Sequence, residues 1–389
     1  MGVCLMKKNI SQIFIFIFLI TMMIGLMSFN KDSSSELSLE SKAIVLNVDN
    51  SEVVDGSFSR LGFQELNIRI LNGKFKEQEV KASNNLLGSM DFDSFYKKND
   101  TILVSILEDG ENIVNVKTLE HYRQNWILAL FIVFALCIIG FAKIIGLKSL
   151  FSFIATLYIL WTFLIPNLLL GKNPLIFSSL TIVILTGVII FSIAGVTRKG
   201  ISAFLGTICG LFLSLGLTLF FGSKINLTGL TEPFAETLLF SGYIHLNMKD
   251  IFYSAIIIGA SGAAMDIAMD ISSSMDEVLD KKPNLSRKEL IHSGFNVGKD
   301  VIGTMSTTLL LAYSGGYLTL LMLFMSKNSS LSTMLNLKIV SSEIMRTLVG
   351  SIGLVFVAPL TAIFAGYIYT INIKNAEILD KETEKLSSN

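Results

Sequence analysis

Apolar positions along this chain follow two patterns. From residue 126 onward they form long, nearly unbroken runs, whereas residues 31–125 alternate apolar and polar positions over short stretches. A helix rises about 1.5 Å per residue and the hydrocarbon core of a bilayer is about 30 Å thick, so about 20 consecutive apolar residues suffice to cross it. Eight segments meet that criterion, at residues 10–29, 126–141, 150–170, 174–196, 201–221, 251–271, 301–325 and 347–371. The sixth is the most polar of them. The expected fold is a polytopic α-helical membrane protein of about eight transmembrane helices, joined to a small β-rich domain.

That domain is legible in residues 31–125. Period-two alternation in residues 43–48 and 66–71 predicts strands, and Asn72-Gly73 is a type I′ hairpin signal leading into residues 74–80. A second hairpin runs through residues 101–107, turns at 108–111 and returns along 112–118. Four or five short strands in so small a segment predict an OB-like or SH3-like barrel. The chain then divides into an anchor at 1–30, a β domain at 31–125, a seven-helix bundle at 126–372 and a tail at 373–389.

Composition agrees with the pattern. The chain is 51% hydrophobic and 16% charged, with a mean hydropathy of +0.62, beyond what a water-soluble domain of this size carries. Its formal net charge of +0 supplies no basic field for nucleic acid. Cys4, Cys137 and Cys209 are too far apart for a CxxC site, and three histidines form no zinc motif, so no cofactor is implied. No Walker A loop, Rossmann fingerprint or nucleophile elbow is present, which leaves an enzyme without support in the residue pattern.

Cations are retained on the cytoplasmic side of short loops. They concentrate at Lys7, Lys8, Lys143, Lys148, Arg198, Lys199 and the 281–299 connector, which predicts both termini in the cytoplasm and residues 31–125 outside. Residues 10–29 are longer than a usual signal-peptide core, and Met27-Ser28-Phe29 is no small-x-small cleavage site. A retained anchor is therefore expected over a cleaved signal.

Carboxylates inside a bilayer are costly, so those that occur there are functional candidates. In the sixth segment Gly262, Asp266, Asp270 and Ser274 recur every four residues and trace one slowly drifting stripe. Asp300 is expected to open the seventh segment from the same side, with Lys299 and Thr304 beside it. The expected ion or proton coupling site is Asp266, Asp270 and Asp300, and the path is lined by Gly262, Ser274, Thr304 and Thr307. A structural alternative has Asp270 reaching interfacial water and Asp266 pairing with Lys299 or a hydroxyl. Intramembrane aspartyl proteolysis would need Gly-x-Gly-Asp, and Val297-Gly298-Lys299 before Asp300 does not match it.

Residues 276–299 read as a polar connector in which Ser286-Arg287-Lys288-Glu289 is a capping box that starts a short interfacial helix. Gly206-Thr-Ile-Cys-Gly210 and Ala255-Ile-Ile-Ile-Gly259 predict close helix packing. Gly315-Gly316 is expected to break the seventh segment, Glu343 and Arg346 to pair at i and i+3, and Pro359 to kink the eighth.

With these features assembled, the chain resembles the bacterial YibE/F family. The likeness is carried by the run from Gly259 to Ser274, by Gly298-Lys299-Asp300-Val301-Ile302-Gly303-Thr304-Met305 and by Val349-Gly350-Ser351-Ile352-Gly353-Leu354, and spans most of residues 120–372. It implies a multi-pass protein of the bacterial plasma membrane, for which a permease role is sometimes supposed, and it implies no catalytic residues. The expected function is transport or permease-like, with an assembly or signalling scaffold as the alternative. The expected partners are the lipid bilayer and an unidentified solute or cation; neither that solute nor the oligomeric state follows from the residue pattern.

Overall fold

The computed structural model describes residues 38–387 apart from 91, 111, 328 and 329, with side chains described to residue 370. The predicted anchor at 10–29 lies outside the described residues. Two compact units follow, divided near residue 141, and each stands as its own body.

The first unit is a closed barrel of five strands, β1 (Ser38–Asp55), β2 (Arg60–Ile70), β3 (Glu79–Leu87), β4 (Thr101–Asp109) and β5 (Asn112–His121), in the order β1-β2-β3-β5-β4. Strict alternation in β2 and β4 sends Leu66, Ile68, Ile70, Ile102, Val104 and Ile106 inward, where all are fully buried. Closure removes the free edges that would otherwise invite pairing with other chains. The Asn72-Gly73 turn is wider than a two-residue hairpin. Gly73 takes φ +81 and Asn72 Oδ1 accepts from Lys42 N at 2.6 Å, but Arg69 pairs with Glu79 and β3 starts only there. The extra residues carry Phe75 into the barrel core. Gln64 is buried among these apolar side chains, with its needs met: it donates to Asn50 Oδ1 and the Tyr96 carbonyl, and accepts from Asn84 Nδ2 and Tyr96 N.

The second part of the chain is helical: α1 (Gln124–Ile159), α2 (Ile165–Leu169), α3 (Pro174–Ala194), α4 (Arg198–Ile225), α5 (Ala235–Phe240), α6 (Met248–Lys281), α7 (Arg287–Gly316), α8 (Leu318–Ser326), α9 (Leu331–Asn336) and α10 (Lys338–Ser387). Side-chain caps set the starts. Asn173 accepts from Leu175 N and Ile176 N with Pro174 at the first helical position, Thr197 accepts from Gly200 N, and Asn247 from Asp250 N. Ser286 and Glu289 form the expected capping box.

Among the described residues five helices are long and apolar enough to cross a membrane, or six if the bent pair α7 and α8 is one span. That is fewer than the eight segments read in the sequence, of which 10–29 lies outside the described residues. The segments at 126–141 and 150–170 fall in one helical run, Gln124–Leu169, interrupted at Lys143 (φ 49, ψ −118) and passing through a π-helical turn at Leu160–Leu164. The connector expected at 276–299 shrinks to residues 282–286, because α6 continues to Lys281 and α7 begins at Arg287. The short interfacial helix and the seventh segment are thus one 30-residue helix. Asp300 sits in its middle instead of opening it.

Glycines bring the bundle together. A Cβ on Gly206 would lie 2.7 Å from the Thr361 Cα, and one on Gly210 3.0 Å from the Val357 Cα, so the GxxxG face of α4 meets α10 backbone to backbone. Gly294 and Gly298 of α7 lie against the Cβ atoms of Ala362 and Ala358 of α10, with Met275 and Ile271 of α6 beside them. Arg287 ties the start of α7 to α10, donating from Nε to Thr370 Oγ1 at 2.9 Å with its guanidinium 4.4 Å from the Tyr367 ring. Helix α6 lies at the centre, with Ile256, Ala260, Ala264, Ile267, Ala268 and Ile271 fully buried.

Gly206→Val should cost about 1–3 kcal/mol by overpacking and lower the thermal midpoint in detergent, whereas Gly216→Ala, with nothing within 4 Å of the added carbon, should not. In the barrel, Gln64→Leu keeps volume but strands the Asn84 and Tyr96 partners. It should cost about 3 kcal/mol, seen as lost amide hydrogen-exchange protection across β2 and β3.

Candidate functional site

The stripe singled out in the sequence does lie on one face of α6, but that face is the open one. Gly262, Asp266 and Asp270 are exposed and Ser274 is half-buried, while the residues between them are buried or half-buried. Nothing lies within 4 Å of a carbon added at Gly262. Asp266 and Asp270 are neighbours one turn apart. Neither they nor Asp300 makes a hydrogen bond or ion pair with the described residues, so Asp266 has no Lys299 or hydroxyl partner. No group of three acidic, histidine or cysteine side chains converges as a metal site among the described residues. Asp300, Thr304 and Thr307 are exposed on α7, and the threonine hydroxyls donate to their own helix, Thr304 to the Val301 carbonyl at 3.0 Å and Thr307 to the Gly303 carbonyl at 3.5 Å. Such back-bonding satisfies a hydroxyl without any ligand.

A different polar site lies inside the bundle. Helix α7 ends at Gly316 and the chain turns by 67° into α8 at Tyr317, one residue past the glycine pair that forecast the break. Beside this bend, Arg346 of α10 is held between two carboxylates. Its Nη2 donates to Glu232 Oε1 and lies 3.5 Å from Glu343 Oε1. All three side chains are at least four-fifths buried. The i, i+3 pairing of Glu343 with Arg346 was legible in the sequence; the partner 114 residues away was not.

Glu232 reaches the cluster from the loop between α4 and α5. Thr231 fastens that loop by donating to Ser342 Oγ at 3.1 Å, and the Arg346 guanidinium lies 5.5 Å from the Phe252 ring of α6. Burial pushes Glu232 above the usual carboxylate range, and the neighbouring guanidinium opposes that rise. Glu343 Oε2, Arg346 Nε and the Tyr313 hydroxyl are buried without a hydrogen-bond partner among the described residues. Two carboxylates against one guanidinium leave the cluster one negative charge in excess, in surroundings where ionised groups are poorly solvated.

Glu343 also lines a cavity of about 210 Å³. Tyr313, Ser314 and Tyr317 at the end of α7 form one wall, Leu320 and Leu321 of α8 another, and Ile344, Thr347 and Leu348 of α10 a third. Apart from Glu343 the walls are apolar or weakly polar. The site is therefore suited to a ligand with a compact positive charge and an apolar body, and holds no nucleophile with an activating base.

Removing the long-range partner breaks the closer of the two ion pairs that Arg346 makes. Glu232→Gln leaves Arg346 with Glu343 alone and should cost about 2–4 kcal/mol, read as a lower thermal midpoint in detergent. Glu236→Gln, on an exposed side chain four residues on, should leave the midpoint unchanged.

Comparison with known proteins adds one finding. Residues 130–371 match the family model described as YibE/F-like protein, and residues 37–121 match the YibE/F family N-terminal domain. No curated protein and no solved structure matches the chain.

Proposed function

The chain belongs to the YibE/F family, and from that premise we propose that it is a polytopic permease of the bacterial plasma membrane, with its barrel outside and its termini in the cytoplasm. The apolar helices support a membrane setting. Trp126, Phe141 and Trp161 stand mostly exposed on the 46-residue run Gln124–Leu169, and an apolar surface of that extent asks for lipid or another chain to cover it. Residues 124–142 and 144–169, on either side of the non-helical Lys143, are each long enough for one crossing at about 1.5 Å per residue. We assign one crossing to each side of the break at Lys143.

The observation that carries the permease reading is the bend between α7 and α8 beside the Glu232, Arg346 and Glu343 cluster. Interrupted helices offer free backbone groups at membrane depth, and transporters use such interruptions to hold solutes and ions. On this reading the solute occupies the cavity at the bend. Asp266, close to the midpoint of α6, and Asp270 act as the proton or ion coupling pair, flanked by Asp300, Thr304 and Thr307. Gly262 and Ser274 continue their track. The open stripe then meets water or a second protein chain in the bilayer, since acyl chains do not solvate carboxylates.

One observation favours a scaffold instead: the same outward stripe is a ready surface for a partner helix. Reconstituted protein separates the two. A permease should show proton or cation flux above empty liposomes, cut on the order of tenfold or more by Asp266→Asn with Asp270→Asn, a loss on the scale of one charge-assisted contact. Absence of any flux, together with a co-purifying partner that depends on residues 31–125, would replace transport with assembly.

A further inference from the structure

We infer that the cavity at the end of α7 is a binding site for an organic ammonium ion carried on an apolar body, with Glu343 as its counter-ion. Three independent features converge there. Glu343 Oε2 is buried without a hydrogen-bond partner among the described residues, while the single guanidinium of the cluster donates to Glu232 and stands 3.5 Å from the other Glu343 oxygen. The C-terminal end of α7, where helix carbonyls carry partial negative charge, abuts the same space through Tyr313, Ser314 and Tyr317. Two tyrosine rings line the cavity, and the faces of such rings attract cations. Apart from Thr347, the rest of the wall is leucine, isoleucine and valine.

Size and sign select the ligand class. An apolar cavity of about 150 Å³ admits benzene, so about 210 Å³ leaves room for a ring-sized body and an ammonium head. An anion would add to an existing excess of negative charge, and a small hydrated metal ion would leave the apolar walls without contacts. The ammonium could be the headgroup of an amine-bearing lipid or a free amine; the chemistry recognised is the same. The inference rests on the permease reading for how the ligand enters, but not for whether it binds.

The test is equilibrium binding to the purified full-length protein in a detergent free of amine lipids. Benzyltrimethylammonium is the probe, with benzyl alcohol as neutral and benzenesulfonate as anionic counterpart, followed by tyrosine fluorescence and calorimetry. Saturable binding of the ammonium alone is expected, weakened on the order of tenfold to a hundredfold in Glu343→Gln. Leu321→Trp, which fills the cavity without altering its charge, should weaken binding as well, and it keeps the test alive if Glu343→Gln fails to fold. Equal binding of the neutral probe would mean that Glu343 relieves its charge by taking a proton, and would overturn the inference. So would absence of saturable ammonium binding, or binding indifferent to both variants. Competition by phosphatidylethanolamine in nanodiscs would identify the lipid as the source of the head group, and its absence the free amine; either supports the site. Ammonium binding without any flux in liposomes would keep the site and remove the permease, whereas flux without ammonium binding would do the reverse.

Discussion

The helical unit depends on how closely its neighbours can approach α10. Gly206 and Gly210 let α4 reach the backbone of Val357 and Thr361, Gly294 and Gly298 let α7 rest on Ala358 and Ala362, and Gly366 of α10 receives Ile291. In the membrane setting we propose, lipid tails are as apolar as leucine, so apolar burial alone does not hold helices together. Dispersion contacts at short range take over, and they fade steeply with distance. A side chain at any of these positions would open the interface along its length.

That approach has a consequence at the opposite end of α10. With the helix seated, Glu343 and Arg346 are held where the loop bearing Glu232 folds back on them, and Ser342 receives the Thr231 hydroxyl. An ion pair so far from water stabilises little by itself, because desolvation offsets most of its attraction. Its effect is to specify position: the loop, α6 through Phe252, and α10 must all be in place for Arg346 to be neutralised. The bend from α7 to α8 leaves the adjacent cavity open, and a carboxylate of the cluster forms part of its wall.

The acidic stripe of α6 belongs to a different part of the surface. Periodicity put Gly262, Asp266, Asp270 and Ser274 on one face, and they are on one face. Which direction that face takes is set by the neighbours that claim the remainder of the helix, and buried Ile, Met and Ala residues occupy almost all of it. Asp300 was expected to join the stripe because residues 276–299 read as a polar connector. Charge alone did not stop the helix: α7 runs straight through that stretch from its capping box, which moves Asp300 from an end to a middle. In the barrel, strand alternation was readable, yet the Asn72-Gly73 signal gave no hint that Phe75 would be tucked into the core before β3 begins.

What the sequence determined by itself is what depends on neighbours along the chain. Apolar run length, strand alternation, the Ser286 capping box, the glycine pair before the bend and the i, i+3 relation of Glu343 and Arg346 are all local, and each is present in the folded chain. The matches to the YibE/F models rest on the same linear pattern. Tertiary structure alone decided that Glu232 meets Arg346 across 114 residues, that the α6 carboxylates are exposed, and that two predicted segments run together through Lys143. The physical reason is that a hydrophobic period records which side of a helix is apolar, whereas contacts made through long loops and close backbone approach follow from the packing of the whole chain.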